Sequence, residues 1–280
     1  AYTGVPTNGN TLVVFGNRGK WSFPDGFVVE MIGTDNSLPA ADRQKMEGYL
    51  AHKWGLTGSL PTDHPYKSVH PNGWSGNLQA METLHGGAIQ LGTGKEGFYG
   101  ATISGLTAGE NYHYRVRSTG TLDPKGISGT DLKLWLDATD SSSLTASSGS
   151  VSQWSDRSGN ANHLTASGNP STGTRTHAGK NVVDFDGDDY FQSVNNYGAG
   201  NNFSFLMVLG IDGINDNDDS IFSSGANDPS YMINASSDSL FNIRFKQSGM
   251  GTSLTFSASD RKGPAIYEFV FNGSTDLLEG

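Results

Sequence analysis

The chain has 280 residues, enough for two domains and a full core. Only 35 % of them are hydrophobic, Gly alone numbers 38, and Ser, Thr and Asn are frequent; the mix suits a β-protein with many turns better than a helical enzyme. The formal charge of −10 comes wholly from residues 131–280, where 18 acids face eight bases, while residues 1–130 balance ten against ten. An acidic half without a basic patch argues against nucleic acid and anionic membranes as partners. With no cysteine there are no disulfides and no thiolate chemistry. No apolar run reaches the ~18 residues of a membrane span. The opening AYTGVPTNGN has neither the basic start nor the apolar core of an export signal, so an exported chain would be an internal or processed piece.

In chain order, Thr11 to Phe15 reads as a strand ending at the turn pair Gly16-Asn17. Phe27 to Ile32 is almost continuously apolar, which predicts a strand buried on both faces. Glu30 sits inside it, with no carboxylate two or four residues away to suggest acid–base work. The stretch LPAADRQKMEGYLAHKWGLTGSLPTDHP, Leu38 to Pro65, is the one convincing helix. Pro39 suits a helix start and Asp42 the first turn. Met46, Tyr49, Leu50 and Trp54 form an apolar stripe, and Gly55 follows as a cap. The segment EGYLAHKWGL followed by LPTDHPY resembles the closing part of laminin-G-like, concanavalin A-like jelly-roll domains of large bacterial surface proteins. A closing part belongs after an opening part, yet here it lies near the start.

From Tyr66 the character changes, with Pro65, Pro71 and Gly73 marking a boundary. In ATISGLTAGENYHYRVRS, Leu106 and a Thr-Ala-Gly turn precede Tyr112, Tyr114 and Val116, which alternate with His113, Arg115 and Arg117 as in a half-buried strand. This is similar to the leucine, turn and corner tyrosine of fibronectin type III domains, and implies a small β linker domain over residues 66–128.

Residues 129–280 open with DLKLWLDATD, then WSDRSGN around Trp154, then VVDFDGDDYF from Val182 to Phe191. Three ordered motifs over sixty residues resemble the opening of the same laminin-G-like family. Phe203–Gly210, Ser220–Ser223, Phe241–Phe245 and Ala265–Phe271 read as further strands. The expected fold is therefore all-β: a concanavalin A-like jelly-roll sandwich split between residues 129–280 and 1–65, with one helix, plus the fibronectin-like segment. A half-sandwich would leave an apolar face and open edges in water. Completion by a neighbouring copy or repeat is the expected remedy; closure within one chain is the other.

The resemblance implies an extracellular, non-enzymatic structural or adhesive module, one repeat of a long surface protein or filament that associates with its neighbours; the alternative is a secreted carbohydrate-binding module. Hydrolases on this fold need paired carboxylates, yet residues 131–280 hold only Glu268 and Glu279 besides their aspartates, and no Glu-x-Asp-x-x-Glu strand. The seven histidines are scattered, not grouped as metal ligands would be. For calcium, a hard ion that takes six to eight oxygens, the candidate is DGINDNDD with Asp212, Asp216, Asp218 and Asp219; a second is DFDGDD, Asp184 to Asp189. A solvated turn is the competing reading of both, since Asp and Asn are good turn formers. Trp21, Trp74, Tyr197 and Tyr231 are the candidate platforms for glycans.

Overall fold

A computed structural model describes residues 12–15, 24–71, 123–128, 131–193, 202–213, 219–224, 230–237, 240–247, 250–257, 263–272 and 277–279. They belong to one of the two units into which the chain divides, residues 1–75 with 122–280. The other unit, 76–121, and with it the fibronectin-like strand, lies outside the described residues.

The described chain is mostly β. The N-terminal segment gives β1 (Leu12–Val14) and β2 (Asp25–Thr34), then helix α1 (Ala40–Trp54). A short helix α2 (Pro124–Ser128) precedes β3 (Leu132–Asp137). There follow β4 (Leu144–Ser147), β5 (Ser150–Trp154), β6 (Leu164–Ser167), β7 (Ser171–His177), β8 (Lys180–Asp186) and β9 (Tyr190–Ser193). The long β10 (Asn202–Gly213) leads to β11 (Asp219–Ser224), β12 (Ser230–Ser237), β13 (Leu240–Gln247) and β14 (Met250–Ser257). β15 (Ala265–Asn272) and β16 (Leu277–Glu279) end it.

All pairings are antiparallel, in one continuous ribbon ordered β14-β13-β12-β11-β1-β9-β6-β5-β7-β8-β2-β10-β15-β16, with β3 on β2 and β4 on β5. The ribbon doubles back on itself. Phe205 of β10 stacks on Phe222 of β11 at 4.2 Å between centroids, and Phe15 on Phe185 at 4.4 Å, although these strands lie far apart along the order. Between the apposed stretches lies one apolar core, including Val28, Leu134, Trp154, Phe191, Phe205 and Phe222. A second cluster fills the outer face of β2, β3, β8 and β10, under α1.

The sequence explains why β2 serves both. Its apolar run has no polar face, and a register shift opposite Val208 and Leu209 inserts Val29 as a bulge. Val28 and Met31 then face the first core, Phe27, Val29 and Ile32 the second. α1 lays the expected Met46, Tyr49, Leu50 and Trp54 on that second face, all buried. It ends at Gly55 in the left-handed region, φ 71°, with Leu56 N–H donating to the Ala51 carbonyl at 2.8 Å.

The two halves meet within one chain. β1 lies between β9 and β11, and β2 between β10 on one side and β3 and β8 on the other. Within the single chain its own N-terminal strands reach the gaps and pair across them, the second of the two arrangements expected above. The chain just beyond residue 65 still packs on the helix. Tyr66 and Pro71 crowd Gly48 of α1, where an added Cβ would sit 2.5 and 2.8 Å from their side chains. Residues 66–71 thus belong with the helix.

The motif WSDRSGN covers the free edge of β3. Asp156 accepts from Trp135 N–H at 2.9 Å, while Asn160 and Asn162 side chains donate to the Leu132 and Lys133 carbonyls at 2.7 and 2.8 Å. A loop satisfies the backbone that a further strand would have paired.

Candidate functional site

The most concentrated chemistry lies where α1 crosses β2 and β3. Glu30 is fully buried, and its register partner on β3 is Asp137. The carboxylate partner missing from the local sequence is thus supplied across the sheet, over a hundred residues away. Glu30 Oε1 accepts from Tyr49 O–H at 2.9 Å and Trp135 Nε1–H at 2.8 Å. Its Oε2 accepts from Trp54 Nε1–H at 2.7 Å and pairs with Lys53 Nζ at 2.8 Å. Four donors fill the four lone-pair directions of a carboxylate. Asp137 is likewise bound by Lys53 at 2.8 Å and Arg157 at 2.9 Å, and accepts from the Thr139 hydroxyl at 2.6 Å. Arg157 also lies over the Trp135 ring at 4.0 Å and pairs with Asp140 at 3.0 Å.

Burial pushes the Glu30 carboxyl above its usual range, while Lys53 pulls it back. Burial, with the Glu30 charge next, lifts the Tyr49 hydroxyl far above the phenol range, so it stays a donor. Glu30 and Asp137 are matched by Lys53 and Arg157, and every acceptor direction of the two carboxylates is occupied. Nothing in this arrangement is poised to take or give a proton, as a glycosidase pair must. It is a buried clamp.

The helix end is held from the other half as well. Lys180 donates to the Lys53 carbonyl at 2.9 Å and His177 Nε2–H to the Trp54 carbonyl at 2.8 Å. These are carbonyls that a helix C-terminus leaves unsatisfied, and cations suit that end. The other described histidines also serve in hydrogen bonding or stacking. His52 donates to the Tyr66 carbonyl, His64 joins Glu47 and Tyr66 N–H, His163 accepts from Asp156 N–H, and His70 stacks with His52. His85 and His113 lie outside the described residues.

Of the expected calcium ligands, Asp212 pairs with Arg175 at 2.6 Å, which also holds Asp184 at 2.9 Å. Asp216 and Asp218 lie outside the described residues, and Asp219 is placed by its backbone at the start of β11. The second acidic stretch comes together more closely. Ligand oxygens of Asp186, Asp188 and Asp189 lie within 4.8 Å of one another. Asp189 accepts from Asn169 N–H at 2.5 Å and Asp186 N–H at 3.4 Å, tying the β6–β7 turn to the β8–β9 connection. Gly168, at φ 80°, lets that turn approach; a Cβ there would lie 2.3 Å from Asp189 Oδ1. Burial pushes the Asp189 carboxyl up to about 6, with the Asp186 charge adding to it. Asp and Gly here shape the turns that join β6 to β7 and β8 to β9, strands that do not pair with one another as a hairpin would.

Two open cavities stand out among the described residues. One of about 220 Å³ lies between α1 and the 61–64 turn, lined by Arg43, Glu47, Asp63 and His64. The other, about 360 Å³, is lined by Ala138, Leu144, Ala146, Thr172, Lys180 and Asn181 among others. Trp21, Trp74 and Tyr197, the expected glycan platforms, lie outside the described residues, and Tyr231 is placed only by its backbone in β12. No helix among the described residues is long and apolar enough to cross a membrane. Comparison with protein families, with curated proteins and with solved structures finds no match.

Proposed function

We propose that the chain is a laminin-G-like, concanavalin A-like sandwich serving as a non-enzymatic structural or adhesive module, one repeat of a longer extracellular surface polypeptide with a fibronectin type III-like linker. One observation carries the reading: the motif residues Trp135, Asp137 and Arg157 and the helix residues Tyr49, Lys53 and Trp54 all converge on the saturated Glu30 clamp. The residues of these motifs are here spent on holding two chain segments together. That is what a load-carrying module needs, and within the clamp no acid or base stands free for turnover.

The test is Glu30→Gln, assayed against a polysaccharide panel and by calorimetry. The expected result is a marked fall in melting temperature and no turnover by either protein. Turnover by the native chain that Glu30→Gln abolishes while still folded would overturn the reading.

A second reading, a carbohydrate-binding module, is favoured by the 360 Å³ groove. The Thr172 hydroxyl, on one of the residues that line it, is buried without a hydrogen-bond partner, and Asn181 is another lining residue. Saturable glycan binding lost in Asn181→Ala would support it, and a flat titration would remove it.

A further inference from the structure

The N-terminal segment fills interior positions only. β1 pairs on both edges and so does β2, and every strand they pair with comes from residues 131–272. Without residues 12–71 the remainder has two gaps, one between β9 and β11 and one between β3 with β8 and β10. The gaps are bordered by unpaired N–H and C=O groups, which makes them avid for a strand of matching pattern. The segment that fills them holds itself together. Glu30 bonds to Tyr49 and Trp54 inside it, and Phe27, Val29 and Ile32 pack on Met46, Leu50 and Trp54 in one cluster. It meets the rest through further bonds: Glu30 to Trp135, Lys53 to Asp137, Asp35 to Lys133, Arg43 to Glu268, and Leu12 N–H to the Ser193 hydroxyl. In sequence the two parties are joined only by residues 72–122, about fifty residues.

We infer that residues 12–71 are an exchangeable unit and that the partner of this chain is a second copy of itself, each donating that segment to the other's residues 123–280. Every contact just named is the same whether donor and acceptor share a chain or not, so the exchanged assembly loses none of them. The balance is set by local concentration. A tether sets the segment's effective concentration at its own acceptor, about millimolar for a short flexible linker and lower as the connection lengthens. The closed monomer therefore dominates in dilute solution, and exchange takes over where copies are held near that density, as successive repeats or packed surface molecules are. The inference stands on strand pairing and does not require the module to be structural rather than glycan-binding.

The native chain has no cysteine, which makes the test clean. Asp35 and Lys133 form a 2.8 Å pair near the surface, one in the donated segment and one in the acceptor. Asp35→Cys and Lys133→Cys variants are mixed, unfolded together in urea, refolded at millimolar concentration and treated with a short thiol crosslinker. The variant carrying both substitutions serves as the control that links within one chain. The expected product is a covalent dimer joined 35 to 133 between the two variants, its yield rising with concentration at refolding. A 35-to-133 link found only in the doubly substituted chain, or dimers joined solely 35 to 35 or 133 to 133, would overturn it. Neither outcome bears on whether Glu30→Gln alters turnover, so the two readings fail separately.

Discussion

Glu30 is a buried carboxylate whose four acceptor directions all point at donors: Tyr49, Trp54, Trp135 and Lys53. Replacing it by Gln puts an amide N–H₂ where an acceptor is required; set at the Oε2 position it leaves the Trp54 N–H without its acceptor and takes from Lys53 one of its two carboxylate partners, Asp137 being the other. Breaking a buried charged network from one side costs about 3–5 kcal/mol. At about 2–4 °C per kcal/mol for a domain of this size, Glu30→Gln should lower the melting temperature by about 10 °C in a calorimetric scan. Asp189 gives a pH signature of opposite kind. Its folded value near 6 lies above the ordinary 3.8, so between these the folded protein holds a proton that the unfolded chain has lost. Stability from this group is therefore fully present below about pH 4 and declines as pH rises towards 6. Asp189→Asn keeps the acceptor for Asn169 N–H and removes the titration. A plot of melting temperature against pH should flatten over that window in the variant; an unchanged slope would show that Asp189 is not its source.

α1 is a helix whose position was decided by what its faces touch. Gly48 sits in its interior, where Ala would favour the helix by about 1 kcal/mol. A Cβ there would collide with Tyr66 and Pro71, at 2.5 and 2.8 Å. Overpacking costs about 1–3 kcal/mol, so Gly48→Ala should lower stability in urea unfolding, against the propensity trend. Gly58, with open space around its Cβ, is the control and should show no such loss. Local pattern also explains which strands could be read in advance. β2, β3, β8, β10 and β15 carry apolar runs or clear alternation. β4, β6 and β7 are rich in Ser and Thr, partly exposed, and were legible only once their partners were known. Their pairing comes from the hydrogen-bond ladder, which any backbone can make, and not from a stripe of apolar side chains.

For the molecule as a whole, two interior strands of the ribbon, β1 and β2, come from the N-terminal segment. Residues 123–280 expressed alone keep β10 and β11 but lose β2 and β1, and should show no cooperative melting transition by circular dichroism. Adding residues 12–71 as a separate peptide should restore one, because the contacts between the two parts do not require a covalent joint. A cooperative transition for residues 123–280 alone would mean that the remaining strands close by another route. The clamp shows how far a sequence goes in such a case. The apolar stripe of α1, the Gly55 cap and the WSDRSGN loop beside LWLD were readable, because each depends on spacing within one stretch. Glu30 was visible as an odd acid in an apolar strand, but its partners were not: Asp137, Trp135 and Arg157 lie more than a hundred residues on. A buried charge among apolar neighbours is the only local signal of such a network, and it says that donors exist without saying where.

The sequence by itself determined the β-rich class, the one substantial helix with its buried stripe and cap, the acidic C-terminal half and the order of the motifs. These follow from periodicity, turn chemistry and composition, which act between neighbours in the chain. Only the tertiary structure decided that the two ends close on one another within the chain, that Glu30 and Asp137 share one lysine, and that Asp212 answers to Arg175. Those outcomes depend on which strands pair across the ribbon, and pairing is set by the fit of whole faces and edges, information that no single stretch contains.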